Sequence, residues 1–266
     1  MRRNDLLRAF SNVVMGTPLA GLGLVGKPRQ LVDYATESLF HYRAFTTTRG
    51  LAEKSPWEVL GPTSVQPIVL GNLGDSAFPG TWFHQIGSRA IDIVYLCALC
   101  QLVRPRTVFE IGTFSGYTAL HLGLNSSGDS RIYTLDLPPD NLTSRLETSS
   151  MDDLIKAEAG GLPAHCFDGT AVANRITCLY GDSATFDFSA YHGKIDLFFI
   201  DGAHSYDYVR SDTLNALRCC RPGAVIAWHD FGRVGINGVS RWLREFSRER
   251  DVYVVPAGSL AFCVVN

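Results

Sequence analysis

From about residue 86 to the C-terminus, apolar residues recur in two rhythms that take turns. Apolar positions at three- and four-residue steps predict helices at about 86–103, 116–124, 205–218 and 238–249. Short continuous apolar runs predict strands at 106–111, 131–136, 175–180, 194–201 and 223–229. Near the end, "VYVVP" and "LAFCVV" flank Ala257-Gly258-Ser259, the pattern of two strands joined by a short turn. Alternation of this kind implies an α/β architecture: a doubly wound, mostly parallel sheet of seven strands with helices on both faces.

The first part of the chain follows neither rhythm for long. Leu31, Tyr34, Ala35, Leu39 and Tyr42 predict an amphipathic helix between 29 and 45. Residues 50–88 mix Pro56, Pro62, Pro67 and Pro79 with glycines and with Trp57, Phe78, Trp82 and Phe83, which reads as irregular structure held by apolar anchors. The chain is therefore divided into an N-terminal helical and loop cap, 1–85, and a main domain, 86–266. The cap is expected to close over a substrate or to form a homo-oligomer contact. A second departure is 138–174, which carries Pro138, Pro139, Gly160, Gly161 and Pro163 and a helix expected around 150–158. Connections of that length are usually functional or mobile.

Composition narrows the partners. With 46% hydrophobic and 19% charged residues and a net charge of -2, the chain has no electrostatic footprint for nucleic acid. Its seven cysteines are odd in number and scattered, which suits a reducing compartment better than a disulfide framework. Cys97 and Cys100 form a CxxC inside a helical apolar run, and Cys219 and Cys220 are adjacent; both pairs read as buried packing. The apolar stretch after Met1-Arg2-Arg3 is broken by Asn12, Gly16 and Pro18 and is too short to span a bilayer. The expected location is cytoplasmic, with no integral membrane segment.

The stretch "TVFEIGTFSGYTAL", residues 107–120, sets the chemistry. Glu110 is read at the end of an apolar strand and needs a partner, because an unpaired buried carboxylate is costly. Gly112 and Gly116 bound a loop at the mouth of the next helix, where backbone N–H groups can face a ligand. Thr113 and Phe114 stand where a GxGxxG pyrophosphate motif would have its middle glycine, so a nicotinamide dinucleotide is poorly accommodated. ExGxxxG instead resembles the first motif of class I S-adenosylmethionine-dependent methyltransferases, of the methyltransferase family 24 type, which have a Rossmann-like fold. The resemblance implies that Glu110 serves the methionine amino end and that Gly112, Thr113, Ser115 and Gly116 lie against the cofactor. Asp136, ending "RIYTLD", then takes the ribose hydroxyls, and Asp182, in Gly181-Asp182-Ser183, meets the adenine amino group. A helix cap or turn is the plain alternative for either carboxylate.

Two further stretches carry the reaction. "KIDLFFIDGAHSYDYV" runs through a strand to Asp201 and places His204 three residues on, and "RPGAVIAWHDF" ends a strand in His229-Asp230. Asp201 and Asp230 offer oxygen ligands suited to Mg2+. Their order resembles metal-dependent O-methyltransferases of the caffeoyl-CoA type and of macrolide sugars. The resemblance implies metal ligation by Asp201 and Asp230, a catalytic base at His204, a place for Asp201 beside the cofactor, and a small-molecule hydroxyl acceptor of sugar or phenol type. Those relatives carry a DD or DN pair where this chain has His229-Asp230. As a ligand His229 would suit Mn2+, Fe2+ or Zn2+ better than Mg2+, and the alternative is a packed histidine. Tyr206, Tyr208 and Trp228 read as packing. Two rivals stand beside this reading: a metal-independent methyltransferase acting on nitrogen or a small acid, and a cofactor-binding module without transfer chemistry.

Overall fold

The computed structural model describes residues 51–61, 68–69, 90–138, 165–233 and 237–266. The helices expected at 29–45 and 150–158, and the aromatic anchors Phe78, Trp82 and Phe83, lie outside the described residues. Five parallel strands form the body of the sheet: β2 (Thr107–Ile111), β3 (Arg131–Asp136), β4 (Ile176–Tyr180), β5 (Ile195–Ile200) and β6 (Cys220–Trp228). Two short strands follow, β7 (Tyr253–Val254) and β8 (Ala261–Val264), the latter antiparallel to both β6 and β7. An eighth strand, β1 (Ala52–Glu53), pairs in parallel with β7 and closes the order β1-β7-β8-β6-β5-β2-β3-β4.

Among the described residues the sheet thus has eight strands where the apolar rhythm gives seven. Two residues are too few for any periodicity, and both positions of β1 are exposed. The stretch read as irregular from residue 50 also contains α1 (Pro56–Leu60), begun by a capping box in which Ser55 and Glu58 bond one another's ends. Its Trp57 ring lies 6.0 Å from that of Tyr95. The strand expected at 223–229 starts three residues earlier, at Cys220, because the ladder continues through Pro222-Gly223 with an irregularity opposite Ile195–Leu197.

Burial follows the two-residue period of the strands. Val108, Ile132, Leu197, Phe199, Val225 and Ala227 pack with Leu96, Leu99 and Leu122 of α2 (Ala90–Val103) and α3 (Tyr117–Asn125). Phe109, Phe198, Ile226 and Trp228 face the other layer, α4 (Tyr206–Cys219) and α5 (Asn237–Phe246). Central β5 is buried at every position, as a strand covered on both faces must be. Trp228 is core as expected, and its indole and that of Trp242 both donate to the Thr213 hydroxyl, each at 2.9 Å. All seven cysteines are free, and Cys97, Cys100, Cys219 and Cys220 are buried, in keeping with their reading as packing residues. Among the described residues, no helix is long and apolar enough to cross a membrane.

One core group departs from this economy. Asp212 of α4 is fully buried, and neither carboxylate oxygen has a hydrogen-bond partner of normal geometry among the described residues. Burial pushes its pKa up to about 7, the charge of Asp182 adding to the shift and Ser183 opposing it.

Two predictions follow from this packing. Phe109 is fully buried and its ring meets those of Phe198, Phe188 and Tyr191 at 4.9–5.4 Å, so Phe109→Ala is expected to cost about 3–5 kcal/mol in urea unfolding. For Asp212, the folded chain keeps a proton that the unfolded chain releases between its ordinary carboxyl range and pH 7. Stability therefore falls as pH rises through that window. Asp212→Asn is expected to make the decline shallower, by up to about 1.4 kcal/mol per pH unit, measured as urea midpoints from pH 4.5 to 7.5.

Candidate functional site

The parallel strands deliver their C-terminal ends to one edge of the sheet, where open α/β sheets bind ligands. The loop after β2 and the loop after β5 touch there through main chain. Gly112 sits at φ +99, and a Cβ at this position would overlap the Asp201 carbonyl oxygen. Gly116, at φ +72, caps α3 and leaves room for the Phe167 ring. The Cys166 N–H donates to the Ser115 carbonyl at 2.8 Å, so the C-terminal end of the 138–174 insertion is tied to the glycine loop.

The loop's own N–H groups are largely committed. Gly112 donates to the Leu135 carbonyl (2.8 Å), Gly116 to that of Thr113 (2.7 Å), and Phe114 to Asp136 Oδ2 (2.7 Å). An anion cradle of loop amides is therefore not what the structure builds at these positions. Asp136 Oδ1 accepts the Leu137 N–H at 2.8 Å, so each oxygen holds one backbone donor and keeps a lone pair for a ligand.

Glu110 lies within β2, on the α2/α3 face, rather than at the strand's end. Thr134 donates its hydroxyl to Glu110 Oε2 at 2.6 Å and, with that proton spent, accepts from Thr113 Oγ1 at 2.6 Å. Oε1 is buried with no hydrogen-bond partner among the described residues. Burial drives the Glu110 pKa well up, against the Thr134 hydrogen bond and with help from the charges of Asp201 and Asp136. A cationic ligand group reaching Oε1 would relieve this.

Asp182 behaves partly as a turn residue, accepting the Ala184 N–H at 2.9 Å. Tyr208, expected to be mere packing, also donates its buried hydroxyl to this carboxylate at 2.9 Å. Tyr206 is a packing residue, edge-on to Trp242 and bonded to Glu245.

The densest cluster joins β5, β6 and α2. His204 Nε2 lies 3.1 Å from Asp230 Oδ2 and 3.7 Å from Asp201 Oδ1. His229 Nδ1 lies 3.1 Å from Asp230 Oδ1 and 3.3 Å from Asp201 Oδ1, while its Nε2 faces Asp92 Oδ2 at 3.3 Å. Arg233 donates to Asp230 Oδ2 at 2.9 Å. Desolvation at Asp201 and Asp230 is overcome by the charge of His229 and by the close approach of the two histidines, so both carboxyls stay below their usual range. The same carboxylates outweigh burial at His229 and raise its pKa well above normal. Asp201, His229 and Asp230 bring one donor atom each within 4.8 Å of one another, a spacing that one metal ion can bridge.

His204, Asp201 and Asp230 thus converge, with the glycine loop against the Asp201 main chain, while Asp136 and Asp182 stand on neighbouring loops. Asp92 and Tyr208 were not foreseen as site residues. A lone carboxylate in the apolar run "AIDIVYLCALC" was the available signal for Asp92, in a stretch noticed only for its cysteines. For Tyr208 the sequence carries no comparable signal.

Residues 109–231 match a protein family described as a methyltransferase domain. A comparison with curated proteins gives no match. Among solved structures, the O-methyltransferase TomG from Streptomyces achromogenes, in complex with S-adenosylmethionine, is 22% identical over 67% of this chain and 81% of its own, with a TM-score of 0.45. An O-methyltransferase from Bacillus cereus in complex with S-adenosylhomocysteine is 20% identical over 69% and 84%, with a TM-score of 0.48. A methyltransferase from Podospora anserina bound to S-adenosylhomocysteine is 14% identical over 67% and 79%, with a TM-score of 0.49.

Gly112→Ala is expected to lose at least about 1–2 kcal/mol of stability through the left-handed backbone alone, with the overlap on Asp201 adding to it. Gly128→Ala, where a Cβ meets nothing within 4 Å, is the control and should leave the urea midpoint nearly unchanged.

Proposed function

We propose that this chain, whose residues 109–231 match a methyltransferase domain, is a class I S-adenosylmethionine-dependent methyltransferase that methylates a hydroxyl of a small molecule, of sugar or phenol type, with a divalent ion and a histidine base. The observation that carries the proposal is the convergence of His204, Asp201 and Asp230 at 3.1–3.7 Å, beside the glycine loop.

On this reading Glu110 Oε1, which has no hydrogen-bond partner among the described residues, receives the methionine ammonium, a strong electrostatic relief for a buried carboxylate. Asp136 accepts from the ribose hydroxyls with the lone pairs left by Phe114 and Leu137. Asp182, oriented by Tyr208, accepts from the adenine amino group. The acceptor hydroxyl oxygen attacks the methyl carbon in line with sulfur, the carbon–sulfur electron pair stays on sulfur as S-adenosylhomocysteine forms, and the hydroxyl proton passes to His204. Asp230 Oδ2, 3.1 Å from His204 Nε2, orients the imidazole and stabilises its cation.

The residues present fit a metal, because Asp230 Oδ1 is buried without a hydrogen-bond partner among the described residues and faces the same space as Asp201 Oδ1. Asp201 and Asp230 would hold it, and it would lower the pKa of the acceptor hydroxyl and orient that oxygen. The cap, 1–85, and the 138–174 insertion are proposed to shape the acceptor pocket, supported for the insertion by its bond to Ser115. A reducing, cytoplasmic location belongs to the same proposal and is supported by the free cysteines.

The test pairs calorimetry with S-adenosylhomocysteine and methyl transfer from a labelled donor to a panel of sugar and phenol acceptors. Asp136→Ala is expected to weaken S-adenosylhomocysteine at least tenfold. His204→Ala is expected to keep that affinity and lower kcat by about 100-fold or more. Equal loss of cofactor binding in both variants would overturn the assignment, and turnover that survives chelation would favour a metal-independent enzyme.

A further inference from the structure

We infer that His229 is a third metal ligand, held in its ligating form by Asp92, so that the site prefers a first-row transition ion such as Mn2+, Co2+ or Zn2+ over Mg2+; the inference rests on the metal-assisted reading above. Two donors at right angles on one ion, each about 2.1 Å from it, stand about 3 Å apart. His229 Nδ1 is 3.1 Å from Asp230 Oδ1 and 3.3 Å from Asp201 Oδ1. Yet neither His229 Nδ1 nor Asp230 Oδ1 has a hydrogen bond of normal geometry among the described residues, although both residues are almost fully buried. These contacts are ion-pair separations rather than well-aligned hydrogen bonds, and an ion entering between the three atoms would replace the proton they now share.

The other face of the ring explains why Nδ1 is the ligating atom. Nε2 faces Asp92 Oδ2 at 3.3 Å, an ion-pair separation that retains the proton on that nitrogen, so the proton a metal would displace is the one on Nδ1, whose lone pair would then point between the carboxylates. Asp92 has little freedom to do otherwise. Its Oδ1 accepts the N–H groups of Ser259 (2.7 Å) and Leu260 (3.1 Å), its Oδ2 accepts the Ser259 hydroxyl (2.7 Å), and a Cβ on Gly258 would overlap it. The carboxylate is thus clamped by the turn between β7 and β8 before it meets the imidazole.

Asp230 is fixed in a matching way. Its backbone is left-handed at φ 62, an uncommon conformation for a residue other than glycine. Arg233 and His204 occupy the Oδ2 side, which leaves Oδ1 to ligate singly. His204, 3.7 Å from Asp201 Oδ1, stays outside the ligand set and keeps its role as base. Two carboxylate oxygens and one imidazole nitrogen, with the remaining positions for water and acceptor oxygen, form a donor set that the harder Mg2+ favours less than the first-row ions do.

The experiment uses the full chain, stripped of metal by chelation and titrated calorimetrically with MnCl2, CoCl2 and MgCl2. Mn2+ and Co2+ are expected to bind at least tenfold more tightly than Mg2+, and pulsed electron spin resonance of the Mn2+ form should show coupling to a directly bound nitrogen. Asp92→Asn is expected to weaken Co2+ by about 10–100-fold while changing Mg2+ much less. Equal affinity for the three ions, or a Mn2+ spectrum without nitrogen coupling, overturns the role of His229. If those ions still bind and binding is abolished by Asp201→Asn, the metal-assisted reading survives that failure. If wild type binds none of them while retaining S-adenosylhomocysteine, the metal reading fails as well. The wild-type titration and spectrum need no buried substitution, so neither depends on a variant that folds.

Discussion

The close approach of two loops at Gly112 is the constraint on which the site depends. With a side chain at that position, the turn after β2 could not lie against the carbonyl of Asp201. The donor loop and the ligand-bearing loop would then be pushed apart, although their strands are neighbours in the sheet. The in-line transfer proposed above would tolerate little displacement, since positioning of the reacting atoms supplies much of the rate. A single missing methyl group thus couples the position of the loop after β2 to that of the loop after β5.

Charge is the second organising element. Glu110, Asp92, Asp201 and Asp230 are brought to one sheet edge, and each is compensated differently. Asp92 is neutralised by hydrogen bonds from a turn and by His229. Asp201 and Asp230 share two histidines, with Arg233 added at Asp230. Glu110 has one hydroxyl and an oxygen left over. The uneven compensation separates the groups that hold the architecture from those kept ready for a ligand.

Much of the fold was legible because its strands are long apolar runs. The "IDLFFI" of β5 has no soluble alternative to the centre of a sheet, and the expected and observed bounds of β3 coincide. The beginning of β6 was obscured by Pro222-Gly223, which normally mark a turn but here sit in an irregular stretch of ladder. The two-residue β1 gives no pattern at all. At the site, the acidic strand ends and the histidines could be named from local spacing, because each follows a strand within a few residues. Asp92 and Tyr208 could not, since their importance arises from partners brought near only by the tertiary fold.

The clamp on Asp92 bears on how the protein reaches its native state. Ser259 lies 167 residues from Asp92 along the chain. Contacts so distant in sequence close late, since the entropy of the intervening loop must be lost before they form. The ring of His229 therefore gains its final orientation only once α2 and the turn between β7 and β8 have met. A nascent chain would display the carboxylates of β5 and β6 before their histidine is set, and the finished spacing of Asp201, His229 and Asp230 becomes a mark of completed folding.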